Sequence, residues 1–284
     1  MKFCDIYMRD PFILAEDGVY YLYGTRGEEC WEPGAGTGLD VYASRDLETW
    51  EKHEPCLVCP PEALGRYRYW APEVHRYQGA YYLLVTLSDA KEDARGTYIF
   101  RAESPLGPFT AHSIGPATPA DRWCLDGTLY VEDGVPYMIY CDEWAQYPDK
   151  LGKMCIVRLK PDLTGADGEP VFLFDAKAPS WMTPDNDIFV TDGPFLFHDT
   201  DGRLGMIWSS HAGGQYVEGA AYSESGRAVG PWVQCDRLVF EKDGGHGMFF
   251  KTFGGKWKFT FHTPNKTTFE RPAVMDVPTW LKLQ

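Results

Sequence analysis

The chain has 284 residues, of which 44% are hydrophobic and 24% are charged. This size fits one large domain or two ordinary ones, with a sizeable core. The formal net charge of −14 argues against nucleic acid and anionic membranes as partners, because both are negatively charged. The sequence has no apolar run long enough to span a bilayer, and residues 1–20 lack the pattern of a signal peptide. We therefore expect a cytoplasmic protein, unless a leader has been removed.

Several of the eight cysteines lie inside apolar runs, such as Cys141 in YMIYC and Cys155 in KMCIV. Cysteines of this kind are usually free, buried thiols in a reducing compartment. We therefore expect unpaired thiols rather than a disulfide framework.

In chain order, five segments repeat one pattern: an apolar strand, a tight turn and a second apolar strand. The turns EDG, DG and GG supply residues that accept a positive φ, as tight hairpins require. The second strands are rich in aromatic and β-branched residues. The five copies are DPFILAEDGVYYLYGT from Asp10, APEVHRYQGAYYLLVT from Ala71, LDGTLYVEDGVPYMIYC from Leu125, TDGPFLFHDTDGRLGMIW from Thr191 and GHGMFFKTFGGKWKFTFH from Gly245.

A third strand often follows each hairpin, as in GTYIFRAES, and a weak fourth strand sometimes follows that. Four antiparallel strands per unit and five units predict an all-β fold, a five-bladed β-propeller that forms one domain over residues 1–284. A β-sandwich with regular hairpins is the alternative.

Three aspartates are predicted to meet at the axis of this propeller. Asp10, Asp126 and Asp192 are assigned to equivalent positions in blades one, three and four, and His246 to the same position in blade five. Each aspartate precedes an apolar strand, where an unused carboxylate would be costly. Glycoside hydrolysis needs two carboxyl groups on opposite sides of the scissile bond. A third carboxylate nearby raises the pKa of the acid by like-charge repulsion.

The same motifs resemble those of the family 43 glycoside hydrolases, over nearly the whole chain. RDPF at 9–12 resembles the family's first-blade motif, and YWAPEV at 69–74 resembles its second-blade signature. LDGTLY at 125–130 resembles the third-blade motif, and GGHG at 244–247 the fifth. TDGPFLF at 191–197 falls where the family has its Glu-Gly-Pro motif.

The resemblance implies a five-bladed propeller and an inverting mechanism. It implies that Asp10 is the general base, that Asp126 orients the acid and tunes its pKa, and that Asp192 is the general acid. It requires no cofactor, but it allows a calcium ion on the axis near His246, held largely through water. The C-terminal β-sandwich of many family xylosidases is not expected, because the chain ends just after the fifth blade.

The sequence departs from the family at the acid, where Asp192 replaces the usual Glu. Asp is one methylene shorter, so the proton donor moves back by roughly 1–1.5 Å, and proton transfer needs hydrogen-bond reach. A compensating site, an unusual leaving group and a loss of activity all remain open at this point. Glu143, in CDEWAQ, is a rival acid, and Glu73 is expected to orient the site.

Several residues in loops or at strand ends are candidates for sugar binding. Tryptophans there offer flat rings on which sugars can stack, and polar side chains offer hydrogen bonds. Arg271 is assigned either to a sugar hydroxyl or to pinning the closing strand. The candidates for substrate binding are Trp31, Trp70, Trp123, Glu143, Trp144, His211 and Arg271, with Trp181 as a further stacking platform.

The resemblance implies an oligosaccharide substrate with pentose units. We expect release of terminal pentosyl units, from α-L-arabinofuranosides first and β-D-xylosides next. The alternatives are a catalytically impaired, carbohydrate-binding propeller and a family member that acts on β-galactosides. A glycoside phosphorylase would need a cationic phosphate site, and the motifs show no Arg or Lys pair beside the carboxylates.

Overall fold

The computed structural model describes residues 1–27, 30, 38–58, 67–88 and 94–284. In these residues, nineteen strands form five antiparallel sheets, with two short 3₁₀ helices at Phe3–Asp5 and Trp144–Gln146. No helix in this part of the chain is long and apolar enough to cross a membrane. The sheets are the blades of a propeller, so the prediction of a five-bladed, all-β fold is confirmed.

Each blade is built from consecutive strands, so that neighbours in sequence are neighbours in the sheet. Blade one contains β1 (Met8–Glu16), β2 (Val19–Arg26), β3 (Tyr42–Ser44) and β4 (Glu51–Lys52). Blade two contains β5 (Tyr67–Tyr77), β6 (Ala80–Ser88), β7 (Arg95–Ala102) and β8 (Thr110–Ala111). Blade three contains β9 (Cys124–Glu132), β10 (Val135–Asp142), β11 (Lys153–Arg158) and β12 (Val171–Asp175). Blade four contains β13 (Asp192–His198), β14 (Leu204–Ala212), β15 (Gln215–Ser223) and β16 (Trp232–Gln234). Blade five contains β17 (Gly245–Lys251), β18 (Trp257–Thr263) and β19 (Arg271–Asp276).

The hairpins between the first two strands of the blades explain the acidic-Gly signature. Asp133 and Gly134, between β9 and β10, have φ values of 50° and 80°. Two successive positive φ values match the right-handed twist of the flanking strands. Asp and Gly tolerate this conformation better than other residues, which is why the turn sequence recurs.

Blade five differs from the predicted pattern of four strands. Within the described residues its sheet has three strands, whereas each of the other four sheets has four. After β19 the chain leaves the sheet, and Leu283 forms an isolated antiparallel bridge with Asp199 of blade four. The C-terminal segment therefore joins two blades instead of extending the fifth one.

The core lies between the apolar faces of adjacent blades. Trp208 of β14 is fully buried, with its ring centre 5.3 Å from that of Phe174 in blade three. Trp181 also packs on Trp208, with ring centres 5.4 Å apart, and it is not among the residues that line the central pocket. Cys141 and Cys155 are buried and unpaired, which confirms the expectation of free thiols.

Candidate active site

A pocket of about 370 Å³ is lined by residues from all five blades, which places it at the propeller axis. This volume is at the lower end of the range for small-ligand sites. Trp31, one of the candidates for sugar binding, lies outside the described residues. The predicted site residues that line the pocket are Asp10, Trp70, Trp123, Asp126, Glu143, Trp144, Asp192 and His246.

The first strand of every blade has the same backbone irregularity. In each one, two consecutive residues stand opposite a single residue of the second strand, which is a β-bulge. The first bulge residue has a φ between 46° and 56°, a conformation that is costly for any residue except Gly. Such strain is common at functional sites, where it redirects a side chain. The first bulge residues are Asp10, Ala71, Asp126, Gly193 and His246.

The bulges correct one part of the sequence prediction. Asp192 is not equivalent to Asp10 and Asp126, because it precedes the bulge and pairs with Ser209. Its structural equivalent in blade one is Arg9, which pairs with Thr25. The Asp-Gly pairs at 126–127 and 192–193 predict the wrong register. The proline that the RDP, WAP and DGP segments share gives the correct one. Asp192 nonetheless lines the pocket, as residues before and inside the bulge both do.

Side chains of one blade accept hydrogen bonds from the bulge N–H groups of the next blade. Each accepting residue lies in the second strand of its blade. There it pairs with the first-strand residue that directly precedes the bulge of the same blade. The bonds therefore join neighbouring blades and fix the backbone from which the axial side chains project. The pairs are Ala71 N–H with Thr25 Oγ1 (2.8 Å), Asp126 N–H with Thr86 Oγ1 (2.9 Å), His246 N–H with Ser209 Oγ (2.7 Å) and Asp10 N–H with His262 Nδ1 (3.2 Å).

A buried glutamate supports the bulge of blade five. Glu218 Oε2 accepts a hydrogen bond from Ser209 Oγ at 2.6 Å and another from Gly247 N–H at 3.3 Å. Burial raises the pKa of Glu218 to about 8. Because Ser209 also accepts the N–H of His246, Glu218 acts on the axial histidine through its backbone. No motif in the sequence marks this residue.

Asp10 is held as an ionised carboxylate. Thr25 Oγ1 donates to its Oδ2 at 2.6 Å, and His246 Nδ1 lies 3.2 Å from its Oδ1. Burial alone would raise the pKa of Asp10, but the positive charges of His246 and Arg9 outweigh burial and lower it to about 2. An ionised carboxylate can accept a proton from water at neutral pH, as a general base must.

Two histidines beside Asp10 have different charge states. His262 Nδ1 accepts the Asp10 N–H, and its Nε2 donates to Asn265 Oδ1 at 3.2 Å, so this ring is neutral. Burial lowers the pKa of His262 to about 3. Burial would also lower the pKa of His246, but Asp10 and Asp126 raise it to about 9. His246 is therefore a cation at neutral pH, with its Nδ1 3.2 Å from Asp10 Oδ1 and 3.9 Å from Asp126 Oδ2.

Asp126 and Asp192 form a pair that holds a proton, and we call them the acid pair. Gly193 N–H donates to Asp126 Oδ2 at 3.1 Å, and Tyr216 OH donates to Asp192 Oδ2 at 2.9 Å. Burial raises the pKa of Asp126 to about 8 and also raises the pKa of Asp192. His246 opposes both rises, and the charge of Asp10 adds to both. The pair therefore keeps a proton at neutral pH, as a general acid requires.

One wall of the pocket stacks guanidinium groups on aromatic rings. The Arg95 guanidinium carbon lies 5.4 Å from the ring centre of Trp70 and 4.9 Å from that of Trp123. Arg68 lies 4.8 Å from the ring centre of Trp70. The two tryptophans predicted as sugar platforms thus have arginines stacked on them, and this reduces the ring surface they can offer to a sugar.

Glu143, the rival acid, belongs to the same wall. Its Oε2 lies 3.0 Å from Arg95 Nε, and both residues are buried. A carboxylate held by an arginine is poorly suited to donate a proton. The geometry therefore favours the acid pair over Glu143 as the source of the proton.

Three arginines that the sequence analysis missed line the pocket: Arg9, Arg68 and Arg95. Arg9 donates from Nη1 to Glu270 Oε1 and to Asn265 Oδ1, both at 2.9 Å. Its place in RDPF was the available signal, whereas no motif marks the other two. Buried carboxylates match the charges of Arg9 and Arg95, so these two do not form a simple phosphate site.

Two candidates for substrate binding, His211 and Arg271, are not among the residues that line the pocket. The ring of His211 lies 5.5 Å from that of Tyr216, in an edge-on contact with the phenol that bonds to Asp192. Arg271 begins β19, with its guanidinium carbon 4.4 Å from the ring centre of Tyr7 and its Nη1 donating to Glu270 O at 2.7 Å. Of the two roles considered for Arg271, these contacts fit the one in which it holds the closing strand, β19, in place.

A calcium ion near His246, held largely through water, stays a prediction. Among the described residues, no three His, Cys, Asp or Glu side chains are placed to hold a metal ion. Glu73, which lines a small cavity near His246, is in contact with His75 Nε2 at 2.7 Å. Calcium sites take about six to eight oxygen ligands, so we assign no catalytic step to an ion.

A carboxylate held ionised and a carboxyl pair that keeps a proton share one pocket on the axis of a five-bladed propeller. Opposed charge states of this kind define the two roles that a glycoside hydrolase needs. The model of glycosyl hydrolases family 43 matches residues 4–282. The chain therefore belongs to family 43, and it is a glycosidase.

Solved structures agree with this assignment. The chain is 36% identical to a protein described as an endo-arabinase from Bacteroides thetaiotaomicron, with a TM-score of 0.88 over 98% of this chain and 96% of that one. An endo-1,4-beta-xylanase from the same organism is 23% identical, with a TM-score of 0.78 over 95% and 90% of the two chains. An alpha-L-arabinofuranosidase from Lactobacillus brevis is 18% identical, with a TM-score of 0.75 over 98% and 93%. The last two similarities bear on the fold alone.

Proposed function

We propose that this enzyme hydrolyses α-L-arabinofuranosyl linkages with inversion of configuration, releasing terminal units from oligosaccharides. The observation that carries the proposal is the opposition of charge states between Asp10, which is ionised, and the acid pair, which keeps a proton. Asp10 takes a proton from the water that attacks the anomeric carbon, and Asp192 gives a proton to the departing oxygen. Asp126 sets how the proton is shared within the pair.

Two observations support the substrate class. The chain is 36% identical, over nearly its whole length, to a protein described as an endo-arabinase. The pocket of about 370 Å³ suits a short substrate more than a long polymer segment. β-D-Xylosides are the next candidates, because family members act on both pentosides.

Tyr216 supports Asp192 as the acid despite its short side chain. The phenol donates to Oδ2 of Asp192, which leaves Oδ1 as the oxygen that can carry the proton. A hydrogen bond to the carboxylate also stabilises the charge that forms when the proton leaves. The site thus contains a partner that can compensate for the replacement of Glu by Asp.

The test compares hydrolysis by the wild type, Asp10→Asn and Asp192→Asn. The substrates are 4-nitrophenyl α-L-arabinofuranoside, β-D-xyloside and β-D-galactoside, together with an arabino-oligosaccharide. On the oligosaccharide we expect activity to fall by about 10²-fold or more in both variants, because each loses an acid–base group. On aryl substrates Asp192→Asn should lose less, because 4-nitrophenolate leaves without protonation.

Proton NMR of the first product gives the stereochemistry. The inverted anomer is expected, and the retained anomer would exclude Asp10 as a base toward water. Retained sugar binding without turnover of any substrate would identify a catalytically impaired, carbohydrate-binding propeller. Turnover that requires inorganic phosphate would identify a phosphorylase.

A further inference from the structure

Cys141 occupies a position in blade three that other residue types occupy in the other four blades. It pairs with the residue before the bulge, as Thr25, Thr86, Ser209 and His262 do in their blades. Each of those four accepts the bulge N–H of the next blade. Cys141 is buried and unpaired, and a thiol is only a weak hydrogen-bond acceptor.

The bulge N–H that follows blade three therefore has a different partner. This N–H belongs to Gly193, and it donates to Asp126 Oδ2 at 3.1 Å. Among the five bulge N–H groups of the described residues, only that of Gly193 bonds to a carboxylate of the acid pair. A hydrogen bond from an N–H group favours the ionised form of a carboxylate. Within a pair that shares a proton, it therefore shifts the proton toward Asp192.

We propose that Cys141 is a positioning residue for the acid pair. Because its sulfur does not capture the Gly193 N–H, that donor stays on Asp126, where it opposes protonation of Asp126 and so favours a proton on Asp192. A hydroxyl at position 141 would accept the Gly193 N–H, as the Thr and Ser side chains do at three other junctions. This inference rests on the proposed function, since it concerns the group that donates the proton.

The test is the pH dependence of kcat/KM for Cys141→Ser and Cys141→Ala. In Cys141→Ser we expect the rate on an arabino-oligosaccharide to fall about tenfold, because hydrogen bonds to charged groups are strong. The alkaline limb of the profile should move up by about one pH unit, because Asp126 holds its proton more tightly. The rate on 4-nitrophenyl α-L-arabinofuranoside should change less, because that leaving group needs no acid.

Two control variants separate positioning from packing. Cys141→Ala removes the sulfur without adding an acceptor, so its alkaline limb should coincide with that of the wild type. Cys155→Ser places a hydroxyl at another buried, unpaired cysteine of the same blade and should leave both rate and profile unchanged. If Cys141→Ser and Cys141→Ala lose activity equally, without a shift of the limb, Cys141 acts through packing alone and the proposal is wrong.

A measurement without turnover keeps this inference separate from the proposed function. Carbon-13 NMR of aspartate-labelled protein follows the titration of the Asp126 and Asp192 carboxyl groups directly. We expect the pKa of Asp126 to rise by about one unit in Cys141→Ser relative to the wild type. An unchanged titration would overturn the proposal even if the enzyme is an active arabinofuranosidase. A shifted titration in an enzyme inactive on all substrates would support it while the proposed function fails.

Discussion

Replacing Tyr216 by Phe should raise the pKa of Asp192 and weaken it as an acid. The phenol donates to Asp192 Oδ2 at 2.9 Å, and Tyr216 is buried, so water cannot replace the lost bond. Hydrogen bonds to charged groups contribute about 1.5–3 kcal/mol, and 1.36 kcal/mol corresponds to one pKa unit. The alkaline limb of the pH profile, which reports loss of the last proton from the acid pair, should therefore move up by about one to two units. Near neutral pH the rate on an oligosaccharide should fall by up to about tenfold, because the carboxylate left after proton transfer is less stable.

The assay is kcat/KM on an arabino-oligosaccharide from about pH 5 to 10, with 4-nitrophenyl α-L-arabinofuranoside as a second substrate. Tyr222→Phe is the matched control, because Tyr222 lies in the same strand but packs against Phe197 and Arg203, away from the pocket. The control should keep the profile of the wild type. A fall in the rate of Tyr216→Phe without movement of the alkaline limb would refute the reasoning, since Tyr216 would then act by packing.

Three other substitutions test the rest of the site. The folded-state pKa of Asp10, about 2, lies below its ordinary 3.8, so its charge stabilises the fold above about pH 4, and that stability is lost as the pH falls toward 2. Urea unfolding should show Asp10→Asn about 2 kcal/mol less stable than the wild type at pH 6, with the difference shrinking in acid; a difference independent of pH would contradict this. Arg95→Met leaves the buried carboxylate of Glu143 without this ion pair, and guanidinium unfolding should show a loss of about 3–5 kcal/mol, less if Glu143→Met is added. Thr25→Val removes the donor to Asp10 and an acceptor for a bulge N–H, so we expect about 1–3 kcal/mol of destabilisation and an upward shift of the acidic limb, neither of which the exposed control Thr49→Val should produce.

The fold could be predicted because its signals are local and repeated. Each hairpin carries a turn whose φ values require Asp-Gly or a similar pair, and five copies in order leave few alternatives to a propeller. The third strand of blade five, Arg271–Asp276, and the bridge from Leu283 to Asp199 had no such signal. A bridge of one residue pair depends on where the chain end comes to lie, and no periodic pattern encodes that.

The carboxylates of the candidate site could be predicted, but their supporting groups could not. Asp10 and Asp126 stand out because each directly precedes an apolar run, and His246 follows the same pattern. Tyr216 and Glu218 lie in β15, within a strand whose sequence is unremarkable for a blade. They matter only because β15 passes close to the bulges of blades four and five, and that proximity is a property of the tertiary fold.

The place of Asp192, one residue before the bulge, has a steric cause. A Cβ atom on Gly193 would lie 2.6 Å from Cδ2 of the His246 ring, well inside contact distance. The first bulge position of blade four can therefore carry no side chain while His246 occupies the axis. Its φ of 49° also suits Gly, and its N–H is left to serve Asp126. A side chain from this part of blade four must then come from the preceding residue, Asp192, so one imidazole accounts for the asymmetry of a site built on five similar blades.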